Sequence, residues 1–413
     1  MSTDRLIGML LGTEEDWPSA FETLVANLGG VEYEGERYNF STERITIEPF
    51  NLRAVPRHSL VIDRLAHWYY VPREWLKKVA MMNGVYLMNN PFTFQSMEKH
   101  AAYCAMMRLG LKVPDTWLIP YKEPPDNPRF PYTAEKYNQP FDLEKIADAI
   151  GYPFFMKPFD GGAWVGVTRI ADEDELHRRY DESGERLMHL QSSVEDFDVF
   201  ARSLSIGAET MVMKYDPSQP LHGRYQVEHG FLPPETGAEV VKIGKLVNAF
   251  FLWEFNSCET LVKDGEVYPI DYANACPDIS LISLHYYFPW AIKTLVKWSA
   301  FCTVTDRPMQ IDLETRKYYE IGDRDDLSYD DKLAEYERLA SEHFDVARYH
   351  EFCDKYLGNM DEMVLEYFSS SQFDDLLVRT VSDTFPANER DHFIPHYRGL
   401  IAAWIDDNGS KTS

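Results

Sequence analysis

The chain has 413 residues, of which 45% are hydrophobic and 14% aromatic, a composition typical of a globular protein with a large core. Its 41 lysines and arginines stand against 67 aspartates and glutamates, and the net charge of −26 disfavours binding to nucleic acid or to an anionic membrane surface. Five widely spaced cysteines predict neither a disulfide scaffold nor a zinc site. Because no apolar run approaches about 18 residues and the N-terminus is unlike a signal peptide, we expect a cytoplasmic protein.

The first 95 residues alternate short apolar runs with stretches of helical periodicity. The run 6–11 is typical of a buried strand, and the helical pattern over 18–28 stops at Gly29, which favours a helix end there. Further elements are predicted as strands at 45–47, 59–62 and 85–88 and a helix at 75–82. Strands that alternate with helices predict an open, mostly parallel α/β domain over residues 1–95.

Residues 96–141 are expected to form a linking helix, a strand and an insertion. Ser96 and Lys99 open a helix whose apolar positions recur at helical spacing, and a strand is predicted at 116–119. The segment 121–141 is rich in proline, asparagine and charged residues, and is therefore predicted to be a loop.

Residues 142–190 are predicted to form a small α/β lobe of their own, built around a glycine-rich turn. An apolar run over 152–156 leads to Lys157, the turn contains Gly161 and Gly162, and a second β-branched run follows. Glycines let backbone N–H groups approach an anion closely, and the lysine adds a point charge, so this unit suits closure over phosphates. The alternative is an ordinary hairpin with a solvated lysine, since glycine-rich turns are common.

Residues 191–305 are predicted to form a strand-rich lobe that contains an acidic hairpin. The turn signal at 263–265 joins two short strands, so Glu259 and Asp271 converge from neighbouring strands, and Asn274 follows three residues later. Two carboxylates and an amide oxygen suit Mg²⁺, which prefers hard oxygen ligands and shares nucleotide phosphates. The alternative is a pair of solvated strand-end acids beside a turn asparagine.

Two basic residues lie just before and within the proline-rich segment 216–237, which is predicted to be largely loop, with a helix starting near 242–248. Lys214 and Arg224 could each bind a substrate carboxylate, and each could equally be surface charge. The remaining sequence, 306–413, is charged, low in glycine and helical in pattern. We expect it to be a helical extension that braces the core, forms an oligomer interface or covers the substrate pocket.

Four segments between about residues 89 and 278 resemble, in order, the motifs of the ATP-grasp superfamily. They are SMEKHAAYCAMMRLGLKVP, FFMKPFDGGAWVGV, LQSSVEDFDVFARSLSIG and CETLVKDGEVYPIDYANACPD. Each segment by itself matches its family motif only loosely. The resemblance rests on the presence of all four segments in the order that the family has. It is greatest to the carboxylate–amine ligase type, the group of D-alanine–D-alanine ligase, glutathione synthetase and ribosomal-protein glutamate ligase.

The resemblance implies an α/β (α+β) fold of ATP-grasp type with five parts. These are an N-terminal parallel α/β domain (1–95), a linking segment (96–141), a lid lobe with the glycine loop (142–190), an antiparallel-sheet catalytic lobe (191–305) and a helical C-terminal extension (306–413).

The same resemblance implies a nucleotide site. Lys99 and Lys157 would be its two lysines, and Arg202 would face the phosphates, so that Lys157 and Arg202 act in catalysis. The glycine loop and the hinge strand would bind the rest of the nucleotide, through Gly161, Gly162, Gln191, Ser192, Val194, Glu195 and Asp198. Phe200 stands where relatives often have an acid, which leaves open whether Glu195 or Asp198 binds the ribose.

The resemblance also implies that Glu259, Asp271 and Asn274 hold Mg²⁺, as two ions, with Mn²⁺ able to substitute. Relatives usually have one residue between the last acid and the asparagine, whereas this chain has two. A strand-end bulge would be needed to realign Asn274, so its role as a direct ligand is open. Cys258 and Cys276 flank the hairpin and are predicted to be packing residues, not nucleophiles.

These features imply an ATP- and Mg²⁺-dependent ligase that joins a carboxylate to an amine or related nucleophile through an acylphosphate. Small molecules such as amino acids or peptides are the expected substrates. The alternatives are an ATP-dependent small-molecule kinase on the same fold and a non-catalytic ATP-binding module. We expect no nucleic-acid or membrane partner, and homo-oligomerisation stays open.

Overall fold

A computed structural model of the chain describes residues 2–93, 99–124, 126–137, 140–162 and 164–409. Ser96, predicted to open a helix, lies outside the described residues. The described part contains three separate sheets and a helical C-terminal region, which confirms the predicted mixed α/β fold class.

The N-terminal sheet has the strand order β2-β3-β1-β4-β5. Its elements are β1 (Ser2–Leu10), α1 (Asp16–Leu28), β2 (Gly30–Tyr33), β3 (Glu36–Arg44), β4 (Leu60–Asp63), α2 (Tyr70–Asn83) and β5 (Tyr86–Met88). All pairs are parallel except the β2–β3 hairpin, so the sheet is mostly parallel, as predicted. The strand predicted at 45–47 lies earlier, as β3, because polar residues alternate with Tyr38 and Phe40 there and conceal the strand pattern. The Ile45 N–H continues its ladder by donating to Met9 O at 2.8 Å.

The second sheet forms a small lobe with the strand order β6-β9-β7-β8, in which every pair is antiparallel. Its segment contains α3 (Lys99–Arg108), β6 (Thr116–Ile119), α4 (Phe130–Tyr137), α5 (Leu143–Ile150), β7 (Phe154–Pro158), β8 (Thr168–Ile170), α6 (Glu173–Ser183) and β9 (Met188–Ser192). Asp142 and Asp172 cap α5 and α6 by accepting bonds from the third residue along. The segment 121–141 is not all loop, since Asn127 Oδ1 accepts from Arg129 N at 2.9 Å just before α4.

The third sheet is antiparallel, with the strand order β12-β11-β10-β13-β14. Its elements are β10 (Val199–Ile206), β11 (Glu209–Tyr215), β12 (Tyr225–Gln226), α7 (Pro234–Phe251), β13 (Phe255–Lys263) and β14 (Glu266–Asn274). The predicted hairpin is present, and Asp264 and Gly265 turn it with φ values of 52° and 79°. The helix predicted from 242 starts eight residues earlier, because Pro234 is compatible with a first helical turn.

The C-terminal part is helical, as predicted. Its helices are α8 (Leu281–Leu284), α9 (Phe288–Val304), α10 (Thr315–Gly322), α11 (Tyr329–His343), α12 (Val346–Tyr356), α13 (Met360–Phe368), α14 (Ser371–Thr384) and α15 (Arg390–Gly409). One buried cluster joins these helices to the first and third sheets. Within it, Gly207 (φ +54°) contacts the Trp298 ring so closely that a Cβ would lie 2.0 Å from Cδ2. In the described part of the chain, no helix combines the length and the apolar character needed to cross a membrane.

Candidate active site

A cleft of about 240 Å³ lies between the small lobe and the third sheet. The small lobe contributes the end of β7, the glycine loop and the end of β9, and the third sheet contributes β10, β13 and β14. Most of the sequence-predicted residues line this cleft, namely Lys99, Lys157, Gly161, Gly162, Gln191, Ser192, Val194, Arg202, Glu259, Asp271 and Asn274. Segments up to 175 residues apart thus meet at one place, as the resemblance implied.

Three charged residues form a row across the third sheet. Arg202 lies opposite Glu259 in the β10–β13 pair, and Glu259 lies opposite Asp271 in the β13–β14 pair. Side chains directly opposite in an antiparallel pair point to the same face of the sheet, so all three face the cleft. The Arg202 guanidinium lies 3.5 Å from the Glu259 carboxylate and also donates to Ser257 Oγ at 3.1 Å.

The two lysines enter the cleft from different elements, α3 and β7. Lys99, the first residue of α3, donates to Asp271 Oδ2 at 2.6 Å and to Gly161 O at 3.3 Å. Lys157, on β7, donates to Gln191 Oε1 at 2.7 Å and is only 6% exposed. Burial lowers the pKa of Lys157 to about 8, because a charged ammonium is costly away from water. The negative charge of Asp271 opposes this lowering of the pKa and so favours the charged ammonium, the form that binds anions.

A bulge brings Asn274 to the same place as the acids. Ser257 pairs with Asn274 while Glu259 pairs with Asp271, so β14 holds one more residue than β13 over this interval. The side-chain amide of Asn274 donates to Ser257 Oγ at 2.8 Å, and Ser257 is the same hydroxyl that Arg202 contacts. Two residues, where the family pattern has one, separate Asp271 from Asn274. The irregularity in the strand nevertheless brings the Asn274 side chain to the cleft that the two acids line.

The two carboxylates differ in their electrostatic environment. Burial raises the pKa of Glu259, and the neighbouring Asp271 charge adds to the effect. Burial acts in the same direction on Asp271, but the ammonium groups of Lys99 and Lys157 outweigh it and hold the pKa of Asp271 below its usual value. The buried Glu259 carboxylate and the half-buried Asp271 carboxylate repel one another unless cations neutralise them, and with the Asn274 amide they form the all-oxygen donor set that suits Mg²⁺.

The glycine loop covers the cleft from the small-lobe side. Gly161 has φ +89°, and a Cβ there would meet nothing within 4 Å, so the glycine serves the backbone conformation and not close packing. Trp164 and Val165, at the tip of the loop, also line the cleft, although Val165 is 68% exposed. The sequence motif thus predicts a loop that the structure places above the charged row.

Glu195 and Asp198 lie away from this row and are not among the described residues that line the cleft. Glu195 accepts a bond from Arg169 at 2.8 Å, and Asp198 Oδ2 accepts from Asp264 N at 2.8 Å, in the β13–β14 turn. The choice between them as a ribose ligand stays a prediction.

Sequence reasoning did not identify several residues that line the cleft. His67 and Trp68 come from the loop after β4, and Tyr215 and Tyr225 place their rings 5.1 and 5.8 Å from the Arg202 guanidinium. None lies in a motif, and only the folded chain brings them together. The two cysteines beside the hairpin have thiol pKa values raised by burial to about 12, which favours packing over nucleophilic chemistry.

Comparison with known proteins gives partial matches. No family model matches the chain. A D-alanine–D-alanine ligase from Lactobacillus helveticus is 31% identical over 104 residues, which is 23% of this chain and 26% of the relative. The corresponding ligase from Lactobacillus acidophilus is 28% identical over 112 residues, 25% of this chain and 29% of the relative. The match thus spans between a quarter and a third of the length of these curated relatives.

Solved structures are similar over a longer part of the chain. A RimK domain ATP-grasp protein from Sphaerobacter thermophilus has a TM-score of 0.48 and 12% identity, covering 72% of this chain and 98% of its own. A D-alanine–D-alanine ligase from Bacillus anthracis complexed with ATP has a TM-score of 0.48 and 13% identity, covering 73% and 97%. The two curated relatives that match in sequence are D-alanine–D-alanine ligases, a group that the four motifs resemble.

Proposed function

We propose that the chain is an ATP- and Mg²⁺-dependent ligase that joins a small-molecule carboxylate to an amine through an acylphosphate. The observation that carries this proposal is the cross-strand row of Arg202, Glu259 and Asp271, with the Lys99 and Lys157 ammonium groups beside it. Phosphoryl transfer needs positioning and charge neutralisation more than covalent chemistry by the protein, and this row supplies both.

The residues divide into three roles. Lys157 and Lys99 bind phosphate oxygens, and the backbone at 191–194 holds the adenine beside the Gln191 end of β9. Glu259, Asp271 and Asn274 would hold the Mg²⁺ ions, which neutralise phosphate charge and orient the transferred group. Arg202, fixed by Ser257 and Glu259, stabilises the negative charge that builds up on the transferred phosphoryl group and then on the acylphosphate.

The reaction proceeds in two steps. A carboxylate oxygen of the first substrate attacks the γ-phosphorus of ATP, which releases ADP and leaves an acylphosphate. The amine of the second substrate then attacks the acyl carbon, phosphate leaves, and the amine proton passes to solvent or to the departing phosphate. Because an acylphosphate hydrolyses readily, the glycine loop must exclude water between the steps.

An ADP-release assay tests the proposal. Purified protein is incubated with Mg·ATP and a panel of amino acids and small acids, and products are analysed for ADP, phosphate and a new amide. We expect one combination to yield equimolar ADP, phosphate and amide, and Lys157→Ala to abolish it. Lys145→Ala, on α5 outside the cleft, is the matched control and should react as wild type.

The same assay separates the alternatives. ADP released with a phosphorylated substrate and no amide would replace the ligase by a small-molecule kinase. ATP-induced stabilisation without ADP release from any acid would favour a non-catalytic nucleotide-binding module.

A further inference from the structure

The cleft extends beyond the charged row towards the outer edge of the third sheet. Leu221 and Arg224 line this part just before β12, the edge strand, and Trp68 of the N-terminal domain also lines the cleft. Since β12 lies two strands from β10, which carries Arg202, this edge is about 10 Å from the phosphoryl-transfer site. That distance leaves room for a substrate of amino-acid or dipeptide size between the two.

Arg224 is a cation that lines the cleft in a chain with a net charge of −26. Its Nε donates to Gln219 O at 3.1 Å, and within the described ranges no carboxylate lies close enough to form an ion pair with it. Lys214, the other basic residue considered near this loop, is instead paired with Glu228 at 2.6 Å and does not line the described cleft. A cleft guanidinium without an acidic partner is a ready receptor for a carboxylate.

Two large apolar side chains, Trp68 and Leu221, line the same cleft as Arg224. Trp68 is 60% exposed and Leu221 is 49% exposed, although both line a concave surface. Scattered exposed apolar residues are common on protein surfaces, but apolar side chains that line a cleft beside an unpaired cation resemble the wall of a ligand pocket. The cleft therefore offers a guanidinium that can bind a carboxylate, together with apolar surface.

We propose that the outer part of the cleft binds the apolar or aromatic amino-acid portion of a substrate. Arg224 binds its free carboxylate, and Trp68 and Leu221 contact its side chain. The amino acid is free or is the C-terminal residue of a short peptide, since both present the same carboxylate and side chain. The inference builds on the proposed ligase activity for the reaction, but binding at this site does not require turnover.

Isothermal titration calorimetry with a non-hydrolysable ATP analogue and Mg²⁺ present tests the site. The probes are phenylalanine of each configuration, alanyl-phenylalanine, alanine and phenylalaninamide, which lacks the carboxylate. We expect phenylalanine or alanyl-phenylalanine to bind about tenfold or more tightly than alanine and phenylalaninamide, because only they satisfy both the cation and the apolar wall. Whichever of the two binds more tightly identifies the free or the peptide form.

Three variants assign the contacts. Arg224→Ala should weaken binding by about ten- to a hundredfold, as loss of a hydrogen bond to a charged group does. Trp68→Ala should weaken phenylalanine binding while leaving alanine binding unchanged, and Lys214→Ala, the matched control, should behave as wild type. ATP-induced thermal stabilisation checks that each variant is folded.

Equal affinity for alanine and phenylalanine, no binding of any probe, or unchanged binding by Arg224→Ala would overturn the inference. Its failure is distinct from failure of the proposed function. Binding that depends on Arg224 without ADP release from any acid would refute the ligase and uphold the site. ADP release that is unchanged in Arg224→Ala would uphold the ligase and refute the site.

Discussion

The small lobe and the rest of the molecule are built in different ways. The small lobe, β6 to β9 with α5 and α6, has a separate core of ten buried residues that includes Phe154 and Leu190. The first sheet, the third sheet and the C-terminal helices instead share one large core, from Met9 through Leu204 to Trp404, and a smaller cluster around Val61 and Leu87 lies between the first sheet and α2. We call the second part the body. The difference indicates that the lobe can move as a unit while the body stays rigid.

The contacts between lobe and body near the cleft pass through the predicted site residues. The Lys157 ammonium lies 3.4 Å from Ile270 O of the body, and Lys99 bridges Asp271 and Gly161. A ligand that replaces these contacts would therefore act directly on lobe closure. The C-terminal helices behave as a brace, because α11 contacts α7 through the Lys242–Glu337 pair and Tyr336 bonds to Leu109 O.

The largest expected effect is on stability, when one buried aromatic side chain is removed from the body or from the lobe. Trp298→Ala removes a fully buried ring of the body and should lower the free energy of unfolding by about 4 kcal/mol. Phe154→Ala, in the lobe core, should leave the main calorimetric transition in place and increase hydrogen exchange over 154–192 alone. If both variants shift one common transition equally, the two-core description is incorrect.

The next effect concerns the charged row of the body. Asp271→Asn removes the carboxylate that Lys99 contacts, and should slow ADP release by at least about a hundredfold while the protein stays folded. Glu266→Gln, at the opposite end of the same strand, is the control and should react as wild type. ADP release by Asp271→Asn near the wild-type rate would exclude this row as the reaction centre.

A smaller effect is expected on the pH dependence of body stability. Asp63 is buried and its pKa is raised by burial to about 6, although the N–H groups of Leu65 and Ala66 oppose this. Because the folded-state pKa exceeds the unfolded value, this contribution to stability is complete below pH 4 or so and is lost as the pH rises through about 6. Asp63→Asn should remove that loss, on the order of 2 kcal/mol, in urea titrations at pH 5 and 8. Parallel stability–pH curves for both proteins would contradict the prediction.

The smallest expected effect tests whether the conformation of the glycine loop limits turnover. Gly161→Ala places a Cβ at φ +89°, where L residues are strained by about 1 kcal/mol, in open space. The melting temperature should hardly change, whereas ADP release should fall about tenfold because the closed loop is harder to form. Gly162→Ala, which has no positive φ, is the control. Equal rates for both variants would show that loop conformation does not limit turnover.

Local sequence signals predicted much of the fold. The turn at Asp264-Gly265 and the strand 116–119 follow from residues that are adjacent in sequence. The β2–β3 hairpin was not predicted, because eight of the thirteen residues in its two strands are charged or polar and its packing against α1 and α12 cannot be read from the sequence. Such a strand resembles loop until its packing partner is known.

The residues of the candidate site also divide into those that sequence motifs predict and those that they do not. Lys99, Lys157, Glu259 and Asp271 lie in motifs whose order can be read along the chain. Trp68 and Arg224 lie in segments without a motif, and they line one cleft because the first domain packs against the third sheet, where Arg64 donates to Pro277 O at 2.7 Å. The proposed substrate contacts therefore depend on packing between segments far apart in sequence, which local patterns do not encode.

The most direct test of the account is hydrogen–deuterium exchange with and without Mg·ATP, in wild type and in Lys157→Ala. If nucleotide binds between lobe and body, protection should rise together in 154–170, in 188–194 and in the hairpin 257–274, and Lys157→Ala should lose all three. Protection confined to one side of the cleft, or unchanged in Lys157→Ala, would contradict the claim that the charged row and the glycine loop form one nucleotide site.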